Sequence, residues 1–520
     1  MSLDYRQFEN IEVKLVGAIS QPYELAVASA RTCYSGKGII YPNEVSKDEK
    51  AIELRDKIAA STLDAGHLTT RQHAHFVFAI SGVSRQFIWS FLHSHPYYNS
   101  EQVSQRYVKV KPNNYLIPPL AEKERDLFTE TVKLQTETYE QLIQILRPSI
   151  EEEYYTRFKS RRKDAKKWDP IVNKRTYEVA RYILGVGTTA YLYHTVSALT
   201  LMRYAKLCNL METSHEQRVV IELMLSEVKK QDPLFEKELS DSTPLEKTLE
   251  YQYWQKNKEN IDAERFATEF DAQLEGKYSK LISYDPNCEK VLAQSIRLTL
   301  GNLNLTDEQA IELVCDPKNN PEISDPLNAT YLEKMNQALQ HVHFTFAKKI
   351  SHTADSQDQR HRTVTSSRPL LFFHYHGKPD FITPYGIQAV PQAMELYQST
   401  LEKSYQTINQ LIDSGVSKEF AFYLLPNAHS IRLISTGNLL SYLHKWKLRS
   451  CYNAQEEIFR ATIDELEQVQ KLFPTMTQHL RAPCYLRLRA SQTPYCPEGD
   501  HFCGLPVWKY GISDYQRKSL

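Results

Sequence analysis

This chain repeats itself, and that constrains its fold more than any other feature of the sequence. His73-Ala74-His75-Phe76-Val77-Phe78-Ala79 returns as His341-Val342-His343-Phe344-Thr345-Phe346-Ala347, 268 positions later and with five of seven residues unchanged. Ser84-Arg85 can be set beside Ser351-His352 at an offset of 267, and residues 26–31 beside 293–297 at an offset of 266. An offset close to half of 520 residues reads as two diverged copies of one folding unit joined end to end. The stretch between them, about 227–280, is rich in charge and broken by Pro233 and Pro244. The expected layout is a first unit over 1–230, a charged connector over 231–275, a second unit over 276–480 and a Cys-containing tail over 481–520.

Composition is that of a soluble globular protein, with 41% apolar and 24% charged residues. The 63 basic and 63 acidic residues cancel. No overall field draws the chain to nucleic acid or to a membrane, so neither is expected as a partner, and an anionic ligand must be held by a local cluster of Arg. No apolar run is long enough to cross a bilayer. The start, Met-Ser-Leu-Asp-Tyr-Arg, lacks the apolar core of a signal peptide. Eight Cys are too sparse for a disulfide scaffold. These features predict a cytoplasmic protein with reduced thiols.

Alternation over 11–16 predicts a strand, followed by a helix around 23–31. Residues 51–66 have helical spacing with Gly66 as end cap, and 75–80 is rich in strand formers. Residues 121–146 and 175–210 read as long helices. In the second copy 344–346 reads as a strand, and 392–414, 418–425, 431–447 and 456–472 as helices. The mixture implies an α+β fold of two tandem units, each a mixed sheet packed with long helices, with strand order open.

Arg360-His361-Arg362 shortly precedes Ser366-Ser367-Arg368. Neighbouring guanidiniums grip an anion well, since Arg stays charged and offers a planar fork of donors. In isolation the triplet is equally a solvated loop. The first copy has His93-Ser94-His95, then eight residues, then Ser104-Gln105-Arg106-Tyr107. Together these segments resemble the signature of the flavin-dependent thymidylate synthases: Arg-His-Arg, a spacer of seven or eight residues, then Ser within Ser-x-Arg-Tyr. The first copy keeps the Ser-x-Arg-Tyr half. The second keeps the triplet, but only Thr363-Val364-Thr365 precedes Ser366-x-Arg368, and Pro369 stands for Tyr.

The resemblance extends along both copies. His67 and His73, with Thr69 between them, are similar to the family segment that lines the flavin, and Met335 replaces the first His in the second copy. Glu178-Val179-Ala180-Arg181 resembles the helix whose Arg reaches the nucleotide; the second copy has Glu419 and then Phe422. Asn438, His444 and Arg449, followed by Ala454-Gln455 and Glu457-Ile458, resemble a pattern in which Asn and a polar residue serve the flavin and Arg serves dUMP. The first copy has Ser197, Arg203 and Cys208 at those three places.

What the resemblance implies is methylation of a pyrimidine nucleotide, dUMP to dTMP, with FAD as cofactor, methylenetetrahydrofolate as carbon donor and NADPH as reductant. It assigns Arg360, His361 and Arg362 to catalysis. Gln102, Ser104, Arg106, Arg181 and Arg449 fall to the nucleotide, and His67, Thr69, His73, Asn438 and His444 to the flavin. Family members are homotetramers with sites between subunits, so two fused copies would replace two subunits and a homodimer of this chain would replace the tetramer. Complementary losses then predict a composite site. The alternative is a non-catalytic nucleotide- or flavin-binding protein that retained the fold.

Two features stand apart. Cys484, Cys496 and Cys503, with His501, are zinc-type ligands without a Cys-x-x-Cys pair. The basic run 159–167 reads as a solvated helix end. No Gly-rich phosphate loop occurs.

Overall fold

The computed structural model describes Phe8 and residues 10–516. Two four-stranded antiparallel sheets carry the chain. The first is built from β1 (Glu12–Ala18), β2 (His75–Ser84), β3 (Asn99–Gln102) and β4 (Thr189–Ser197). The second is built from β5 (Ser279–Tyr284), β6 (His343–Ser351), β7 (Thr365–Ser367) and β8 (Ser430–Asn438). Strand order is β1-β2-β4-β3 in one and β5-β6-β8-β7 in the other, the same path twice. Alternate residues of the paired central strands face a core: Phe76, Phe78 and Ile80 on β2, Phe344, Phe346 and Ile350 on β6. The α+β expectation and the tandem arrangement both hold.

The drift of the repeat offset has a physical origin. β2 shifts register against β4 between Ser81 and Val83, whereas β6 pairs with β8 without a shift. The extra residue of this bulge is Gly82, at φ +76°, and a Cβ there would lie 1.9 Å from the carbonyl oxygen of Asn10. Only glycine fits. The offset is therefore 268 before the bulge and 267 at Ser84 and Ser351. Both serines cap the next helix, accepting from the backbone N–H of Phe87 and Ala354.

Several elements differ from the sequence expectation. The helices expected over 175–210 and 431–447 are each broken by a strand. In the first copy a helix (Ala165–Ala180) is followed by β4 and then a helix (Ala198–Lys206); in the second, β8 leads into a helix (Leu439–Arg449). Short apolar runs fit either period, and pairing with β2 and β6 decides for strand. The helix expected over 121–146 runs from Glu122 to Arg157, because its buried face continues through Ile150 and Tyr154 despite Pro148. The expected connector begins inside the first unit: Phe235 is buried, Asp232 accepts from the Tyr23 N–H, and buried Glu238 pairs with Arg71 at 2.7 Å. The remainder holds two largely exposed helices, Leu249–Asn257 and Ala263–Gln273.

The copies meet about a local twofold. Val186 N–H donates to Leu425 O and Asn427 N–H to Leu184 O, both at 2.8 Å; Gly187 N–H donates to Tyr423 O and Ala428 N–H to Tyr182 O. Each bond has its counterpart 241 residues away, the reciprocity of a self-complementary dimer interface. Side chains repeat it. Tyr423 donates its hydroxyl to Glu216, which also accepts from Ser84; Tyr182 donates to Glu457, which also accepts from Ser351. The helix Glu122–Arg157 lies along the helix Pro391–Asp413, with Thr131 bonded to Thr407 and Thr138 to Thr400. One hydrophobic core contains Phe87 and Ile88 from the first copy and Tyr423 and Leu424 from the second.

Candidate active site at the junction of the copies

A cavity of about 280 Å³ opens where the copies cross. The first copy supplies Gln102 from the end of β3, Ser104 and Arg106 from the turn after it, and Arg181 from the turn after the helix Ala165–Ala180. The second supplies Gln357 and Arg360 from the end of the helix His352–Asp358, Asn427 from the crossing segment, and Arg449 from the last turn of the helix Leu439–Arg449. Six of the residues expected to bind nucleotide or catalyse are thus brought together. Arg85, Gln357 and Asn427 line the same cavity without having been expected.

Five guanidiniums, Arg85, Arg106, Arg181, Arg360 and Arg449, face this space, and no lining residue is acidic. Burial, with Arg181 and Arg360 nearby, pulls Arg85 down to about 9; burial, offset in part by Asp358, brings Arg449 to about 10. Burial also lowers Arg181, whose Nη2 is buried without a protein partner. Burial opposes the charge on Arg106, but the Glu178 carboxylate bonded to it holds its pKa up. Clustered, partly orphaned guanidiniums in a concave site have the chemistry to hold a phosphate-sized anion.

The Arg-His-Arg triplet divides. Arg360 lines the cavity and also meets Glu101 at 3.1 Å. His361 is buried behind Arg449, which donates Nε–H to its Nε2 at 2.9 Å and Nη2–H to Gln357 O at 3.1 Å. Burial and Arg449 keep that imidazole well below its ordinary pKa, hence neutral. His361 therefore orients Arg449. Arg362 turns away, donating to Asn99 Oδ1 at 2.9 Å.

Arg360 and Gln102 are also a wall of a neighbouring cavity of about 270 Å³, lined further by Tyr98, Glu101, Tyr193 and Arg362. Tyr193 is 60% exposed, and the Arg362 guanidinium lies 5.1 Å from the centre of the Tyr98 ring. One exposed aromatic face beside cationic donors suits a flat, carbonyl-rich ring system. His444 approaches the triplet through its ring contact with His361, 5.7 Å between centroids. Asn438 caps the helix Leu439–Arg449, accepting from Ser441 N–H, and its Ser197 counterpart does the same for Thr200. His67, Thr69 and His73 are exposed around the short turn Leu68–Gln72 and line neither cavity.

On the other side of the local twofold the equivalent positions carry different, buried side chains. Phe422 stands for Arg181 and Cys208 for Arg449. Strand register corrects one sequence equivalence. Ser366 pairs with Ser435 as Ser100 pairs with His194, so Ser366 matches Ser100 rather than Ser104. Arg368 is consequently not the counterpart of Arg106; it binds buried Asp355 through two bonds of 2.7 and 2.8 Å. Asp355 also accepts from Trp89 Nε1. Glu419, counterpart of Glu178, is taken by Ser214, His215 and the start of the helix Ser214–Gln231.

Cys484, Cys496 and Cys503 line one small cavity together with Cys451, which the sequence reading had not joined to them. All are free thiols, and burial pushes Cys451 and Cys484 up to about 12. Among the described residues no group of three or more His, Cys, Asp or Glu is placed to hold a metal ion. The basic run is not simply a solvated helix end, because Arg161 turns in between Phe158 and Trp168, 4.1 and 3.8 Å from the ring centres. No helix among the described residues is long and apolar enough to cross a membrane.

Fold and site together define a duplicated α+β protein with an arginine-lined cavity shared by its two halves. The family described as thymidylate synthase complementing protein matches residues 14–234 and again 280–475, and the chain belongs to that family. Among curated relatives, a flavin-dependent thymidylate synthase of Geobacter sulfurreducens is 27% identical over 237 residues, 43% of this chain and 92% of the relative. One from Clostridium tetani is 30% identical over 226 residues, 43% of this chain and 84% of the relative. A solved UMP/dUMP methylase, PolB from Streptomyces cacaoi bound with 5-Br dUMP, aligns at 16% identity and a TM-score of 0.33, covering 44% of this chain and 94% of that one.

Proposed function

We propose that this chain is a flavin-dependent enzyme that methylates a pyrimidine nucleotide, of the dUMP to dTMP type, at one composite site made by both copies. The observation that carries the proposal is that Arg106 and Arg181 of one copy and Arg360 and Arg449 of the other line a single cavity. The guanidiniums would hold the nucleotide's phosphate and its ring oxygens, stabilising charge that develops on the ring. Ser104 would position the same ligand, and neutral His361 would keep Arg449 aimed at it.

The adjoining cavity is where a flavin ring would lie, with Arg360, Arg362 and Tyr193 against it. The flavin, when bound, supplies the hydride chemistry that NADPH feeds and that the one-carbon unit of methylenetetrahydrofolate requires. The role of the chain is to hold the two rings side by side, with Gln102 and Arg360 common to both cavities. His67, Thr69 and His73, exposed and outside the lining of both cavities, would serve a flavin bound against a second chain in a homodimer that takes the place of a tetramer. Cytoplasmic nucleotide synthesis is the setting this reading implies.

Purified protein titrated with FAD should become yellow and oxidise NADPH only when dUMP is present. Arg106→Ala and Arg449→Ala should each weaken dUMP binding by about tenfold or more, the scale of a lost charge-assisted contact. Unchanged dUMP affinity in either variant sinks the shared site. A protein that takes up neither flavin nor dUMP sinks the whole proposal.

A further inference from the structure

A further and larger cavity, about 370 Å³, shares Arg106 and Tyr107 with the first and lies between the helices Glu122–Arg157 and Ala165–Ala180 and the C-terminal tail. We propose that it is a separate binding site for a nucleoside phosphate. Its tail wall, Glu498 to Cys503, falls beyond residue 475, where the family match ends.

The chemistry of the two walls differs, and that difference selects the ligand. The helix wall presents Arg157, Arg161, Lys174 and Arg175, and the carboxylate of Glu178 beside them is taken up by Arg106. Arg161 is already fixed, held between aromatic faces and donating to the Tyr154 hydroxyl at 2.7 Å. A guanidinium whose rotamer is set in advance binds an anion at low entropic cost. The tail wall presents Glu498 and Asp500, which repel a phosphate and accept from sugar hydroxyls. Tyr107 is 54% exposed at the shared wall, and Phe502 faces the same space, so a flat base finds aromatic surface. An anion at one end, hydroxyls at the other and a flat ring between describe a nucleoside phosphate, and the cavity falls within the size range of small-molecule pockets.

The site is wired to the first one through Asn453. Its side chain donates to His501 O at 2.7 Å and to Glu498 at 3.3 Å, and its Oδ1 accepts from Arg175 at 2.9 Å. Its carbonyl oxygen accepts from Arg106 Nη2 at 2.9 Å. A ligand that draws on the tail or on Arg175 therefore acts on the hold on Arg106, giving a route by which one nucleotide adjusts the affinity for another.

Equilibrium dialysis of the full chain with ATP and, separately, with dUMP tests this. Lys174→Glu and Arg157→Glu should each weaken ATP about tenfold or more while leaving dUMP affinity within about twofold, and Arg449→Ala should show the opposite pattern. No ATP binding at millimolar concentration, or ATP affinity unchanged in both charge reversals, overturns the proposal. So does ATP affinity that falls with dUMP in Arg449→Ala, because both ligands then share one pocket. ATP binding that depends on Lys174 in a protein that ignores dUMP upholds this site and removes the methylation reading instead.

Discussion

Arg449 reaches the shared cavity from a helix end and is held there by a neutral imidazole and a backbone carbonyl. His361→Ala should therefore weaken nucleotide binding by freeing Arg449, and His361→Gln, which keeps an acceptor, should restore part of it; calorimetric titration with dUMP measures both. Glu216 offers a test of the interface. Burial raises its carboxyl to about 7 in spite of the bonds from Ser84 and Tyr423. The folded state then holds the proton more tightly than the unfolded chain, whose Glu titrates near about 4.3. Its contribution is complete below that value and is lost as pH rises toward 7 and beyond. Glu216→Gln cannot titrate, so the melting temperature of wild type should fall relative to this variant between pH 5 and pH 8. At this scale the sequence was informative where chemistry is written in motifs: Ser104, Arg106, Arg181, Arg360 and Arg449 were legible. Arg85, Gln357 and Asn427 belong to no motif. Arg85 had one signal, since the second copy has His352 in its place, and a cation kept by one copy alone marks an asymmetric site.

Elements reveal a different limit. The sequences of β4 and β8 are compatible with helix, because apolar residues in a short run satisfy either period, and only pairing across a sheet resolves the choice. The same missing information hid the true relation of Ser366 to Ser100, which is a matter of strand register and not of motif spacing. The repeat, by contrast, was legible down to its one-residue slip, since Gly82 inserts into β2 and nothing matches it in β6. The crossing segments make the sharpest prediction. A Cβ on Gly187 would lie 2.8 Å from the Tyr423 Cβ and 2.9 Å from its carbonyl oxygen. Gly187→Val should destabilise the protein by about 1–3 kcal/mol or more through overpacking, read as a lower urea midpoint. Unchanged stability would mean that the segments are not in contact in solution.

Over the whole molecule, duplication has let two equivalent places diverge. One gathers five guanidiniums; at the other, buried Phe422 and Cys208 stand where the first has Arg181 and Arg449, and Arg368 is paired with buried Asp355. Titration with dUMP should accordingly saturate at one nucleotide per chain. A second dUMP that persists in Lys174→Glu, where the cavity beside the C-terminal tail is disabled, would show that the counterpart also binds. The local twofold also decides what holds the copies in place. Four reciprocal backbone bonds, two Tyr–Glu contacts and a common core join them, whereas residues 258–260 of the intervening stretch are exposed and cross none of it. Continuity of the polypeptide there is dispensable once folding is done. A protease that nicks this point should yield two bands on a denaturing gel and a single species in gel filtration, and the pieces made as separate chains should find each other, giving a two-component protein whose parts can be varied one at a time.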